Sequence, residues 1–259
     1  MVAKINIEKR LQQAIHAYWA SRKSNQGKQF ASGKVDAGTR GEVTGGTQMA
    51  ALEALVVDLL CEAGLKRPDI RTGGALELPG YFRATKKWDL IVVADERLVM
   101  AMEFKSQAGK SIGNNVNNRA EEAIGSATDI WKAYREGRLG AVAQTPFLGY
   151  LFLLEDHAGV RRPVANKEPH FPVDPGFRGH VSPAEGDTDP RYLGVSYAER
   201  YELLCRRLVL ERVYSAACFL MASKDKSSVV TQPAPDLSFS SFAAALRGHA
   251  VAFASSQGA

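Results

Sequence analysis

The stretch "KWDLIVVADERLVMAMEFK", residues 87–105, decides the predicted fold. Its two apolar runs, 90–94 and 98–102, have the length of buried strands, and the polar residues between them are typical of a tight turn. Three charged residues stand where the two strands would meet again, namely Asp89, Glu103 and Lys105. A buried hairpin has no structural need for two acids and a lysine at that end, so the pattern indicates a functional site.

The expected strand pairing brings these three charges together. If the chain turns near Glu96, the numbers of paired residues sum to about 192, and Asp89 falls opposite Glu103. Directly opposed residues have Cβ atoms about 4.5–5.5 Å apart. Glu103 and Lys105 are two residues apart and therefore share a face. The prediction depends on the register, because a slip of one residue would separate the charges.

Such a cluster has a specific chemistry. Two carboxylates this close repel each other unless one is protonated or a cation lies between them. Mg²⁺ takes oxygen ligands of this kind together with substrate phosphate, and it lowers the pKa of an attacking water. The Lys105 ammonium would contact the phosphate and help to orient the water. We therefore predict a site for metal-assisted phosphodiester hydrolysis. The alternative is that all three charges are solvated strand ends without a chemical role.

The rest of the chain predicts one α/β domain over residues 1–259. Apolar spacing indicates helices at 6–23, 46–65, 118–137, 196–216 and 238–253, with Thr47 and Gly64 as caps of the second. Strands are predicted at 145–156 and 217–223, loops at 24–47 and 106–117, and a loop or short strands at 69–86. The core is expected at about 46–156 and 196–223, and about 157–195 is an insertion that would serve as a lid, a binding loop or a dimer arm.

The composition of the chain restricts the class of protein but does not identify a binding partner. The net charge is +5, which permits a polyanionic ligand and does not establish one. The sequence has no apolar run of about 18 residues and no signal peptide, so neither a membrane span nor export is expected. Its three cysteines form no CxxC pair and are predicted to be reduced in a cytoplasmic protein.

The hairpin segments "WDL" and "MEFKSQ" resemble the PD-(D/E)xK nuclease core, although Trp88 stands where that pattern often has proline. Three longer segments, 17–22, 36–56 and 103–131, resemble the XhoI family of Type II restriction endonucleases. The most specific of them contains "GNNVNNRAEEA" (113–123). The resemblance extends over most of the chain, to about residue 220. It implies a mixed central sheet that is flanked by helices and carries long insertions.

The family resemblance also implies an activity. It implies a homodimer that cleaves double-stranded DNA at CTCGAG after the first C of each strand and leaves four-base 5′ overhangs. It implies dependence on Mg²⁺ and a separately encoded DNA methyltransferase that protects the host. Asp89, Glu103 and the Phe104 carbonyl would hold the metal. Glu53 on the preceding helix is a further candidate ligand, with an exposed helix glutamate as the favoured alternative. Glu121 and Glu122 are weaker candidates for the same reason.

A second set of residues is predicted to contact DNA. Asparagine pairs with adenine and arginine with guanine in the major groove, and lysine binds phosphate. Asparagine equally favours turns and helix caps, and surface cations can serve solubility alone. The candidates are Lys34, Arg40, Lys110, Asn114, Asn115, Asn117, Asn118 and Arg119, with Lys28 as a further phosphate contact.

Other signals are weaker. His157, His170 and His180 do not have zinc-ligand spacing, and "GEVTGGT" (41–47) lacks the lysine of a phosphate-binding loop. Two other functions stay open at this point. One is a repair or recombination nuclease that recognises DNA structure, and the other is a DNA-binding protein on an inactive nuclease fold.

Overall fold

A computed structural model describes residues 7–31, 48–109, 112–140, 144–166, 170–179, 193–225 and 228–256. Within these ranges, no helix is both long and apolar enough to cross a lipid bilayer. All three cysteines are free thiols, and Cys205 and Cys218 are buried.

A mixed six-stranded sheet forms the centre of the fold, with strand order β1-β4-β5-β6-β9-β10. Strands β5, β6 and β9 run parallel to one another, and the other neighbours pair antiparallel. Two small ribbons, β2–β3 and β7–β8, lie outside this sheet. The strands are β1 (Ile70–Arg71), β2 (Glu77–Pro79), β3 (Thr85–Lys87), β4 (Leu90–Ala94), β5 (Arg97–Gln107), β6 (Phe147–Glu155), β7 (Pro163–Ala165), β8 (Leu193–Ser196), β9 (Ala216–Ala222) and β10 (Val230–Thr231).

Helices cover both faces of the sheet, which confirms the predicted α/β class. They are α1 (Ile7–Ala31), α2 (Ala50–Glu62), α3 (Ile112–Arg135), α4 (Ala158–Arg161), α5 (Tyr197–Leu210) and α6 (Phe239–Ser256). One hydrophobic core unites α1, α2 and α6 with one face of the sheet. A second core unites α3 and α5 with the opposite face. Three short 3₁₀ turns complete the described elements, at Arg67–Asp69, Pro175–Phe177 and Pro235–Leu237.

The β4–β5 hairpin has the predicted register at its open end. Leu90 pairs with Met102 and Val92 with Met100, so that their numbers sum to 192, whereas Ala94 pairs with Arg97 beside the turn. The turn itself consists of Asp95 and Glu96, which have φ angles of +48° and +57°. Positive φ at both positions is characteristic of the two-residue hairpin turn that matches the twist of the strands.

A β-bulge reconciles this tight turn with the register at the open end. The pairing shifts between Val92 and Val93, which leaves Val99 as the extra residue of β5. Val99 and its neighbour Met100 both pack into the core beneath α1, α2 and α6, although consecutive strand residues ordinarily face opposite sides. Without the extra residue, the turn would set Asp89 opposite Met102.

Several predicted helix boundaries are wrong. Helix α1 continues to Ala31 instead of ending at 23, so the start of the predicted loop at 24–47 is helical, and α5 ends at Leu210 instead of 216. Helix α3 begins at Ile112 instead of 118, so the asparagine-rich segment is helical and the predicted loop at 106–117 is short. Ile112 is buried and Val116 packs against the same core, and this spacing of four residues outweighs the poor helix propensity of asparagine. Helix α2 begins at Ala50 after Met49, which makes no side-chain cap, while Thr47 lies outside the described residues.

Other local predictions are confirmed. Gly64 follows the end of α2 with a φ of +100°, a conformation that favours glycine. Strand β6 lies at the centre of the sheet, as its continuous apolar run predicts.

The segment 157–195 differs from the predicted loop. It contains α4, β7, the 3₁₀ turn at Pro175–Phe177 and the start of β8, so its described parts hold regular secondary structure.

Candidate active site

The open end of the β4–β5 hairpin gathers Asp89, Glu103 and Lys105 into one cluster. Glu103 is only 1% exposed, and the Lys105 Nζ lies 3.7 Å from its Oε1. The Phe104 backbone N–H donates a hydrogen bond of 2.7 Å to Oδ2 of Asp89. Because the N–H and C=O of one strand residue point to the same side, the Phe104 carbonyl faces this side of β5 as well.

Two residues that the sequence analysis missed complete the surroundings of Glu103. The Lys86 ammonium forms an ion pair with Oε1 of Glu103 and lies 4.4 Å from the centre of the Trp88 ring. The Tyr214 hydroxyl lies 3.1 Å from Oε2 of Glu103 and 3.3 Å from the carbonyl oxygen of Ala123. Both carboxylate oxygens of this buried acid therefore have partners, as a buried charge requires.

The sequence carries a partial signal for one of these residues. Lys86 and Trp88 alternate just before Asp89, which is the pattern of a strand that places both on one face. For Tyr214 no local signal exists, because it precedes β9 and reaches Glu103 only through the packing of β9 and α3 around β5 and β6.

Two acids here, Asp89 in the cluster and Glu53 on α2, hold their protons more strongly than usual because their pKa values are raised. Burial raises the pKa of Asp89, and Glu103 adds to this effect, while Lys105, the Phe104 N–H and Lys86 oppose it. Burial together with the charge of Asp89 raises the pKa of Glu53 on α2 to about 7. Carboxylates with raised pKa values are stabilised in their charged form by an added cation.

The donor set fits a hard divalent cation in its chemistry. Carboxylate oxygens from Asp89 and Glu103, with a backbone carbonyl, are the ligands that Mg²⁺ accepts in proteins. The described part of the chain has no group of three or more acidic, histidine or cysteine side chains already arranged around a metal position. Oε1 of Glu103 is engaged by Lys86, so a cation at this oxygen requires the ammonium to move.

Neither of the other acids named as candidate ligands, nor any described histidine of segment 157–195, belongs to the acid cluster. Glu121 and Glu122 are exposed on α3, and Glu122 pairs with Arg119 at 2.6 Å. His157 begins α4, where its Nδ1 accepts a hydrogen bond of 3.0 Å from the Gly159 N–H, and His170 is exposed. His180 lies outside the described residues.

The candidate DNA contacts are only partly described. Asn115, Asn117 and Asn118 occupy the first turns of α3, where Asn117 and Asn118 are exposed. Arg119 is partly buried and forms an ion pair with Glu122. Lys34, Arg40 and Lys110 lie outside the described residues, as do the side chains of Lys28 and Asn114.

Comparison with known proteins identifies the class. The chain is 44% identical over 226 residues to the Type II restriction enzyme BstVI of Geobacillus stearothermophilus, covering 85% of this chain and 93% of that protein. It is 46% identical over 174 residues to AbrI of Azospirillum brasilense (67% and 78%) and 43% identical over 176 residues to XhoI of Xanthomonas vasicola (67% and 64%). Both are also named Type II restriction enzymes. No solved structure matches the chain.

A family model that matches most of the chain shows which family it belongs to. The model of the family described as restriction endonuclease XhoI matches residues 28–232, and the chain therefore belongs to this family. Its class is that of the Type II restriction endonucleases, which cleave DNA at specific sites. The predicted resemblance is confirmed, although the quoted segment 17–22 lies outside the matched range and the match continues past residue 220.

Proposed function

We propose that this restriction endonuclease hydrolyses DNA with Mg²⁺ at a site formed by Asp89, Glu103 and Lys105. One observation carries the proposal: the bulged hairpin brings both acids and the lysine to one end of the sheet, where the Phe104 N–H binds Asp89. The ion pair of Lys105 with Glu103 supports the same grouping.

Each residue has a role that follows from its chemistry. Asp89, Glu103 and the Phe104 carbonyl would hold the metal, with Glu53 as an additional carboxylate. A bound Mg²⁺ supplies charge stabilisation at the phosphate and lowers the pKa of the attacking water. Lys105 places its ammonium against the phosphate and orients the water. Tyr214 holds Glu103 in position through its hydrogen bond.

The substrate is proposed to be the palindrome CTCGAG, cut after the first C of each strand. Membership of the XhoI family supports this site. A two-fold DNA sequence is matched by a two-fold protein, so the active species would be a homodimer. A separately encoded methyltransferase would protect the host DNA, and both enzymes would act in the cytoplasm.

Exposed residues at the start of α3 are the proposed base and phosphate contacts. Asn117 and Asn118 follow closely in the chain from the strand that carries Lys105, and their side chains are free to solvent. Asn114, Asn115, Arg119 and Lys110 belong to the same segment, and Lys34 and Arg40 would bind phosphates from the segment before α2. The base contacts would depend on the bidentate geometry of asparagine and arginine.

Digestion of a sequenced plasmid with Mg²⁺, followed by mapping of the ends, tests the proposal. Discrete fragments that end within CTCGAG are expected, and chelation of the metal should stop the reaction. Smears or cuts at branched DNA would instead indicate a structure-specific nuclease. Binding without turnover at any metal concentration would indicate an inactive fold.

Variants of the cluster test the site itself. Replacement of Asp89, Glu103 or Lys105 by Ala should abolish cleavage while some DNA binding remains. Because Glu103 is buried against Lys86, Glu103→Gln is the cleaner variant: it preserves the volume and a partner for Tyr214 while removing the charge. Full activity in Glu103→Ala or Glu103→Gln would refute this site.

A further inference from the structure

The connection between β2 and β3, residues 80–84, exposes an aromatic ring. We call these five residues the hairpin tip. Phe82 at its centre is 73% exposed, while Tyr81 beside it meets the Phe82 ring edge-on with centroids 4.9 Å apart. The Gly80 N–H closes the tip by donating to the carbonyl oxygen of Ala84 at 3.2 Å. Tyr81 is itself 40% exposed, so the two rings form one exposed aromatic patch, a feature that marks contact surfaces.

A buried acid fixes the shape of the hairpin tip. Asp129 on α3 is 2% exposed, and its Oδ1 accepts hydrogen bonds of 2.7 Å from the N–H groups of both Tyr81 and Phe82. Its Oδ2 lies 2.8 Å from Nε of Arg83. Gly80 approaches so closely that a Cβ there would lie 2.5 Å from Oδ2 of Asp129. The exposure of Phe82 is therefore imposed by the structure, and the ring is presented without further loss of backbone entropy.

Cations surround the aromatic pair. The Lys132 ammonium lies 4.8 Å and the Arg138 guanidinium 5.3 Å from the centre of the Tyr81 ring. Arg138 also donates to the Gly80 carbonyl at 2.9 Å. The acids nearby already have partners, since Asp129 pairs with Arg83 and Glu136 with Lys132. Arg83, Lys132 and Arg138 outnumber these two acids, so the surface around Phe82 carries a net positive charge, which is complementary to a polyanion.

The hairpin tip is tied directly to the acid cluster. Strand β3 leads from the tip to Lys86, whose ammonium binds Glu103. The five residues from Phe82 to Lys86 are joined by four Cα–Cα steps, which span at most about 14 Å. At about 3.4 Å per base step, this distance corresponds to about four base steps along one strand. A duplex whose phosphate lies at the cluster and whose axis follows β3 would bring a base step to the Phe82 ring.

We propose that Phe82 is a wedge that inserts between base pairs of the bound DNA, within about four base steps of the cleaved phosphate. The surrounding cations hold the adjacent phosphates, and the ring partly unstacks one base step. The inference rests on the proposed function, because it needs the duplex to lie at the acid cluster. A wedge in this place would favour sites whose flanking steps unstack easily, and so would contribute to specificity.

Base unstacking provides the test. Duplexes that contain CTCGAG carry the fluorescent base 2-aminopurine in place of one adenine each, either the adenine of the site in one strand or the other, or an adenine placed at one of the flanking positions within six base pairs of the cut. They are mixed with the full-length protein in a Lys105→Ala background with Mg²⁺, so that binding is observed without cleavage. We expect fluorescence to rise about twofold or more at one or two adjacent positions within four steps of the cut, because unstacking relieves quenching.

Substitutions at Phe82 assign the signal. Phe82→Ala should remove the rise, while Phe82→Trp keeps a wedge and should retain it. Val251→Ala is the matched control, because Val251 is 51% exposed but lies on α6, which covers the other face of the sheet. The wedge is refuted if no position brightens with Phe82 present, or if the rise persists in Phe82→Ala.

The two proposals fail in distinguishable ways. Plasmid cleavage by the wild-type protein tests the proposed function alone, and its absence at any DNA site would refute that function. If the wild-type protein cleaves at CTCGAG but no base brightens, only the wedge is refuted. In the wild-type background, Phe82→Ala should slow cleavage about tenfold without lowering the melting temperature, since a base that stacks on an aromatic ring loses this contact when the ring is removed.

Discussion

The Tyr214 hydroxyl lies 3.1 Å from the buried carboxylate of Glu103, although 111 residues separate the two in the chain. The carbonyl oxygen of Ala123 lies 3.3 Å from the same hydroxyl, so Tyr214 joins β5 to α3 as well. Burial and the charge of Glu103 raise the pKa of Tyr214 well above its ordinary value. The hydroxyl therefore stays protonated and remains a donor to Glu103.

Loss of this hydroxyl should impair both stability and cleavage. Tyr214→Phe removes one buried hydrogen bond and is expected to lower the free energy of unfolding by about 1 kcal/mol. It should also slow cleavage about tenfold, because the Glu103 carboxylate loses the contact that orients it. Urea unfolding and single-turnover cleavage measure the two effects.

Tyr150→Phe is the matched control for this prediction. Tyr150 is also buried, and its ring lies 5.2 Å from that of Tyr214, but its hydroxyl has no hydrogen-bond partner within the described part of the chain. Its removal should leave stability unchanged or raise it slightly. Equal effects of both substitutions would contradict a specific role for Tyr214.

Removal of the Lys86 charge should strengthen metal binding. Lys86→Met keeps the apolar stem over Trp88 but takes away the cation that occupies Oε1 of Glu103. Divalent cations should then bind about tenfold more tightly, because no internal cation has to be displaced. The metal-free variant should unfold more easily, by about 1–3 kcal/mol, since the repulsion between Asp89 and Glu103 is no longer compensated.

Calorimetric titration with Mg²⁺ and urea unfolding in chelator measure these opposite changes. Lys87→Met is the control, because Lys87 is the exposed neighbour on the same strand. A weaker affinity for Mg²⁺ in Lys86→Met than in Lys87→Met would show that Lys86 does not compete with the metal.

The raised pKa of Glu53 predicts a pH-dependent stability in the metal-free protein. Burial and the charge of Asp89 raise this pKa from 4.5 to about 7. Between these two values the folded state retains a proton that the unfolded state has released, so stability falls as the pH rises through this window. Glu53→Gln should remove this slope and stabilise the metal-free protein above pH 7, by on the order of 1–3 kcal/mol.

Urea unfolding in chelator, at pH 5 and pH 8, checks the slope. The same variant should bind Mg²⁺ less tightly at pH 8 if Glu53 contributes to the metal site. Glu121→Gln, on the exposed face of α3, should change neither property. An unchanged slope in Glu53→Gln would mean that neither burial nor Asp89 raises the pKa of Glu53 in the folded protein.

The hairpin tip should lose its anchor when Asp129 is altered. Burial raises the pKa of this carboxyl, but the N–H groups of Phe82 and Tyr81 and the charge of Arg83 more than offset it, so the pKa lies below 3.8. Asp129→Asn should lower the free energy of unfolding at neutral pH by about 2 kcal/mol, because the charge-assisted hydrogen bonds are lost.

The pH dependence has a definite sign here. A lowered carboxyl pKa contributes stability that is present above 3.8 and is lost as the pH falls through the lower folded-state value. The difference in stability between the wild-type protein and Asp129→Asn should therefore shrink in strong acid. Thermal melting from pH 7 to pH 2 tests this, with the exposed neighbour substitution Thr128→Ala as the control. A difference that grew on acidification would contradict the assignment.

The spacing of apolar residues along the chain was enough to predict most of the helices and strands. The existence of the long helices and of strands β4, β5, β6 and β9 follows from local apolar patterns, although several helix ends and the short edge strands β1 and β10 do not. The pairing of Asp89 with the Glu103 region was also expected, and the register at the open end agrees. These features depend on residues that are close in sequence, so their pattern is visible before folding.

Tertiary packing alone decided the remaining features. The two-residue turn would misplace Glu103 if Val99 and Met100 did not both pack into one core, and two consecutive apolar residues carry no sign of such a bulge. The asparagine-rich segment is helical because Ile112 packs into the core beneath α3 and α5. Lys86 reaches Glu103 from a strand outside the central sheet, and Tyr214 reaches it from the start of β9. Such contacts depend on how distant segments pack around the buried charge of Glu103. The alternation of Lys86 and Trp88 indicates only the face that these two residues share, and not the residue that Lys86 contacts.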